Sequence, residues 1–260
     1  KRLNDGGTKL SSFDLVASIL KGFAWEMEGF LDEILRDYQE INLNQDNLIK
    51  LIFILQDNHT KEMAAIDSAD AKFALDNRNR IRSTLKALKD FLIHSSLYEY
   101  YRESNKSFIP LFFICYHLFH KNIPDDKLVT YFDNYDTGNA EFPRILKWIY
   151  HSLLNGVFKS KGVGWIPYRT GIKKILEEIS KHRNKEFPTD AIFDIYIKHP
   201  LVFTTVYTSE NINKLDDNFV FYLLYDRKQT IRIQDLDHIM PKSILESLNY
   251  DSMKINSIKN

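Results

Sequence analysis

The residues in this 260-residue chain whose types and spacing could do chemistry begin with Asp237-His238. A histidine titrates near neutrality and can take a proton from water. An adjacent carboxylate can hold a divalent cation such as Mg²⁺, which offsets charge developing on a phosphodiester. The stretch Ile231-Arg232-Ile233-Gln234-Asp235-Leu236-Asp237 alternates like a short strand, and Ser243-Ile244-Leu245-Glu246 restarts as a helix. Neighbouring strand residues point to opposite faces. The strand must therefore end or bend at Asp237-His238 for both side chains to reach one site, and Pro241 supplies a break. Taken alone, the dipeptide also fits a structural pair at a strand end.

A second constellation is basic. Lys159, Lys161, Arg169, Lys173, Lys174, Lys181, Arg183 and Lys185 face only Glu177 and Glu178 over the same stretch, with Trp165 and Tyr168 interleaved. Such a run could track phosphates; it also fits an amphipathic helix whose charged face is solvated. A third is Cys115-x-His117-x-x-His120. Positions three apart share a helix face, but a structural zinc site takes four ligands and this run sits in the most apolar helix of the chain. It reads as a buried cysteine with two boundary histidines. Asn4-Asp5-Gly6-Gly7 reads as turn chemistry ahead of a helix cap rather than a phosphate loop. No Ser/His/Asp triad, cysteine–histidine nucleophile or dinucleotide-binding glycine pattern is visible.

The elements that must position these groups are helical. Apolar content is 44% and aromatic content 13%, enough for a substantial core. Lys+Arg and Asp+Glu balance at 35 each, so any nucleic-acid surface must be a local patch. One cysteine allows no internal disulfide and fits a reducing, cytoplasmic setting. The longest apolar run, Phe108 to Phe119, is shorter than the roughly 20 residues a bilayer requires, so a buried core helix is expected there and no membrane association.

Ser11 or Ser12 caps a first helix with Asp14 in its opening turn. A second carries Trp25, Met27, Phe30, Leu31, Ile34, Leu35 and Tyr38. A third follows a loop at 42–45, capped by Asn44 or Asp46. The stripe Ala74, Ile81, Leu85, Leu88, Leu92 predicts one long helix from Ser68 to Ile93. Its opposite face, with Arg78, Arg80, Arg82, Lys86 and Lys89, reads as solvated. Short tyrosine-rich and apolar helices follow, the latter over 108–120 with Pro110 in its first turn. Residues 122–140 read as turns. Helices are expected at 141–158, at 167–183 with Ile172, Ile175, Leu176 and Ile179 inward, after Pro188-Thr189-Asp190, and at 210–225. This makes about ten helices, an irregular all-α bundle.

With the flanking residues included, the two ends resemble a known family. Asp237-His238-Ile239-Met240-Pro241-Lys242-Ser243, followed by Asp251 and Ile255-Asn256-Ser257-Ile258-Lys259-Asn260, looks like the start of a His-Me finger (HNH) nuclease. It is most similar to the C-terminal domain of GmrSD-type, modification-dependent type IV restriction endonucleases. Arg2-Leu3-Asn4-Asp5-Gly6-Gly7-Thr8-Lys9-Leu10-Ser11 is similar to the segment that closes that family's ParB/sulfiredoxin-like N-terminal domain. The resemblance runs in order along the chain, but its specific motifs cover only the ends.

The resemblance implies that residues 1–11 are the tail of the N-terminal domain, 12–228 a helical middle domain, and 229–260 the beginning of a truncated ββα-metal finger. His238 would be the general base and Asp237 a ligand of a divalent ion, Mg²⁺ by preference. Asn256 and Asn260 would support the finger's turn. Lys259 stands where the family usually has glycine, and the second metal ligand is expected beyond Asn260. DNA would be the partner, contacted by Lys242 and by Lys159, Lys161, Arg169, Lys173 and Lys174 of the basic stretch. A nucleoside triphosphate would enter only through the absent N-terminal domain. The expectation is a piece of a phage-defence endonuclease acting on modified DNA, with a homo-oligomer or a partner subunit open. The alternative is a non-catalytic helical module, binding DNA or protein, with a degenerate finger.

Overall fold

The structure is a computed structural model and describes residues 26–58, 67–102, 106–136, 138–158, 168–200, 202–203 and 215–224. The helix expected after Ser11 and the finger expected at 229–260 lie outside these residues. Among the described residues there are eleven α-helices and no strand, an all-α architecture. They are α1 (Glu26–Tyr38), α2 (Gln45–Leu55), α3 (Ser68–Asp76), α4 (Arg78–His94), α5 (Tyr98–Tyr101), α6 (Ile109–Phe119), α7 (Asp125–Val129), α8 (Glu141–Leu154), α9 (Tyr168–Lys181), α10 (Thr189–Lys198) and α11 (Asp217–Leu224). A 3₁₀ turn, Gln39–Ile41, joins α1 to the loop before α2.

The centre is α6. It is apolar on every side, and such a helix must be covered all round. Residues 110 to 119 are all buried, and α2, α4, α8 and α9 pack around it. Pro110 sits in the first turn, where its missing N–H is not needed. An aromatic seam fixes the next layer: Phe113 meets the edge of Trp148 at a ring separation of 5.9 Å, and Trp148 meets Phe187 at 5.1 Å. Buried polar groups in this layer are paired. Trp148 Nε1 donates to the Tyr196 hydroxyl (2.9 Å), which also bonds Ser152 Oγ (3.0 Å).

Local chemistry sets the ends. Asn44 caps α2, its side chain accepting from Asn47 N at 2.9 Å. Asp67 and Asp70 form a reciprocal capping box on α3. The helices α2, α4 and α8 each finish in a Schellman turn, in which the two residues past the cap bond back to the last turn. The left-handed positions are Asp57 (φ 62°), Ser96 (φ 58°) and Gly156 (φ 58°).

Four expectations are corrected. The helix expected from Ser68 to Ile93 is two helices, broken at Asn77, whose backbone leaves the helical region (φ −104°, ψ 12°) and whose Nδ2 shares the Phe73 carbonyl with its own N–H (2.9 and 3.0 Å). The turns of 122–140 contain α7, which packs on α4. The helix expected to reach 158 ends at Leu154, because Gly156 adopts the left-handed conformation. The charged face of α3 and α4 is solvated only in part: Arg78 and Lys86 are exposed, but other cations on it are used for packing. Arg80, with 14% of its side chain exposed, donates to the carbonyls of Leu118 (3.1 Å), Phe119 (2.9 Å), Lys121 (2.5 Å) and Ile123 (2.7 Å) and to Asp125. It thereby caps the C-terminus of α6, where a cation also suits the helix dipole. Arg82 bonds Glu33 on α1, Lys86 bonds Asp90, and Lys89 lies over Tyr38 and Tyr98. No helix among the described residues is long and apolar enough to cross a membrane.

Candidate functional site

The richest polar junction gathers at the C-terminal end of α6. His117, on its last turn, is 2% exposed and donates through Nε2 to both oxygens of Glu141, at 3.1 Å each. Glu141 opens α8 and is 4% exposed. Lys121, just past α6, bonds the same carboxylate and also donates to Lys185 O at 3.3 Å. Asn139 holds the start of α8 by accepting from the N–H groups of Glu141 (3.0 Å) and Phe142 (3.1 Å), while its Nδ2 donates to Tyr131 O (2.5 Å).

A buried carboxylate would normally be pushed up, and burial is the largest single influence on Glu141. The hydrogen bonds and charges of His117 and Lys121 outweigh it and hold Glu141 below its ordinary value. Tyr131 is driven the other way, by burial and then by the Glu141 charge. Above this ion cluster lies a cleft of roughly 550 Å³, lined by Tyr131, Asn134, residues 138–141, Lys121 and the turn at 184–186.

A second cluster forms around Tyr116, the residue before His117 on α6. Tyr116 donates to Asp57 Oδ1 (2.5 Å), and Arg183 Nη2 reaches both Asp57 oxygens (2.9 and 2.7 Å) and the Tyr116 hydroxyl (2.5 Å). Burial raises Asp57, but these bonds hold it below the ordinary value; Tyr116 is pushed up to about 12 by burial first and Asp57 second. His120 lies beside them with its Nε2 buried and without a hydrogen-bond partner. Burial, then the Arg183 charge, depresses its pKa to about 4, so it is a neutral imidazole in the fold.

The residues singled out from sequence divide unevenly. Asp237, His238, Lys242, Asn256 and Asn260 lie outside the described residues, as do Lys159 and Lys161. Arg169 is on α9, with its side chain not described. Lys173 is exposed and stands 3.8 Å from Glu177 one turn on, while Lys174 is half-buried on the same helix. Of the rest of the basic stretch, Lys181 pairs with Glu178 (2.8 Å) and Arg183 is committed to Asp57. Cys115, His117 and His120 share α6 but not a site. The thiol is fully buried and raised by that burial, His117 is bound to Glu141, and His120 faces Asp57 and Arg183. Among the described residues no group of three or more His, Cys, Asp or Glu side chains is placed to hold a metal ion.

Sequence reasoning missed Glu141, Lys121 and Asp57. The one visible signal was a charged residue at the boundary of a strongly apolar helix. Asp57 pairs with Arg183 across 126 positions, a separation no local pattern reveals. No protein-family model matches the chain, and no curated protein matches it.

Proposed function

We propose that this chain belongs to a metal-dependent DNA endonuclease, with the helical bundle as the body on which the nuclease segment is mounted. The observation that carries the reading is the Asp237-His238-Ile239-Met240-Pro241-Lys242 stretch, with the Asn4 to Ser11 segment in matching order at the other end. An ionised carboxylate such as Asp237 is the hard oxygen donor that Mg²⁺ prefers. When bound, such an ion supplies charge stabilisation to a phosphodiester undergoing attack. His238 takes the proton from the attacking water, a role for which an imidazole near neutral pKa is suited. DNA is the substrate in this reading, Lys242 and the α9 lysines are the proposed backbone contacts, and the setting is cytoplasmic.

The experiment is a cleavage assay of the full-length protein on modified and unmodified DNA, with and without Mg²⁺, comparing wild type with His238→Ala. Metal-dependent cleavage by wild type, lost in the variant while the fold persists, is the expected result. Cleavage unchanged in the variant overturns the assignment. DNA binding without cleavage in wild type would leave the bundle as a non-catalytic binding module.

A further inference from the structure

Three side chains that line the cleft above Glu141 keep unused hydrogen-bond donors, while its buried carboxylate is already engaged. The Glu141 carboxylate is shared between His117 and Lys121, and Glu186 on the rim is paired with Arg144 at 2.6 Å. The Asn184 carbonyl oxygen accepts from Asn122 N at 2.8 Å, which orients that amide and leaves its NH₂ as the spare group. Asn184 itself sits at φ 65°, the left-handed region asparagine tolerates.

The donors are not spent. Lys121 has three N–H groups and gives one to Glu141 and one to Lys185 O, so one remains. Lys185 is exposed and has no ion-pair partner among the described residues. The Lys121 charge is offset by Glu141, and that of Glu186 by Arg144, which lies outside the lining. Lys185 is left as the lining cation with no ion-pair partner among the described residues. A pocket of roughly 550 Å³ is within the range that small ligands occupy.

We propose that this cleft is a binding site for a phosphate group, held by the Lys185 and Lys121 ammonium groups and the Asn184 amide. An ionised phosphate offers mainly acceptor oxygens, which complements these three donor groups. The Lys121 ammonium is fixed in advance by Glu141 and the Lys185 carbonyl, so little side-chain entropy is lost on binding. The site is independent of the nuclease reading, since it uses none of the residues at 237–243.

The test is calorimetric titration of the full chain with inorganic phosphate at constant ionic strength, with chloride as the control anion. Wild type should bind phosphate saturably. Lys185→Glu reverses the unpaired charge. Asn184→Asp keeps the acceptor for Asn122 N but replaces the NH₂ with an oxygen. Each should weaken binding by about tenfold or more, since a charge-assisted hydrogen bond is replaced by repulsion. Both positions are exposed, so thermal melts should confirm that the variants fold. Displacement of phosphate by a short single-stranded oligonucleotide would identify a nucleic-acid phosphate as the natural occupant; resistance to displacement would identify a small phosphorylated molecule. Absence of saturable phosphate binding, or equal binding by wild type and both variants, overturns the proposal.

Discussion

Arg80 shows what a single charged residue does in this bundle. Five of its contacts are to the C-terminal carbonyls of α6, the loop beyond and Asp125. Removing it takes a donor from four carbonyls; Leu118 O keeps the Lys121 N–H and Lys121 O the Ile123 N–H, while Phe119 O and Ile123 O lose theirs, each loss costing about 1–3 kcal/mol when buried. Arg80→Ala is expected to destabilise the protein by about 3 kcal/mol in urea unfolding. Arg80→Lys should recover only part of that, because an ammonium cannot span the same fan of acceptors.

The titrating residues make a separate prediction. Glu141 is held below its ordinary value of 4.5. Its contribution is therefore present above that pH and is lost as pH falls through the depressed folded value. His120 works through the other state. The unfolded imidazole takes up a proton near 6.5 while the folded one resists until about 4, so stability falls as pH drops across that interval. His151 is also depressed, by burial and Lys147, and adds in the same direction. Unfolding free energy measured against pH should decline between 6.5 and 4 with a shallower slope in His120→Gln. Glu141→Gln should lower stability at neutral pH and flatten the limb below 4.5.

At the scale of elements, α6 is the member the others share. Its side chains meet four neighbouring helices, so truncation there opens a cavity that no single neighbour can close. Phe113 packs its ring against both Trp148 and Phe158, at 5.9 and 5.7 Å. Phe113→Ala should cost about 3–5 kcal/mol, with the loss visible in the denaturation midpoint. The end of α8 is a smaller case. Gly156 occupies a left-handed position, with its own N–H bonded to Leu153 O and the next residue's to Ser152 O. Gly156→Ala should cost about 1 kcal/mol, since an alanine there keeps the turn only with backbone strain.

Across the whole molecule, the bundle is closed by contacts between distant segments. Arg183 reaches Asp57, the Tyr222 hydroxyl donates to Ser96 O, and α9 and α10 cover one side of α6 and α8. A chain ending at residue 158 would leave Phe113 and Trp148 without Phe187 and Tyr196 above them. Such a truncation should lose its sharp unfolding transition and bind a hydrophobic dye, with far-UV helicity largely kept. A truncation that unfolds cooperatively would show that α1 to α8 form an independent core.

The sequence by itself determined the fold class and most of the inward residues. Period-3.6 stripes such as Ile172, Ile175, Leu176 and Ile179 are buried as their spacing requires, and an all-apolar α6 had no place but the centre. These are local properties, set by which face of a helix must leave water. It also singled out Asp237-His238, by residue type and neighbours alone. The tertiary structure decided which charges are solvated and which are structural. Arg80, Arg183 and Lys185 all look like surface cations in the sequence. Folding sends Arg80 to the end of α6 and Arg183 to Asp57, and leaves Lys185 as the uncommitted one. The physical reason is that a charge's role depends on the partners that distant segments bring within a few ångströms of it. Those distances are fixed by packing around α6, not by spacing along the chain.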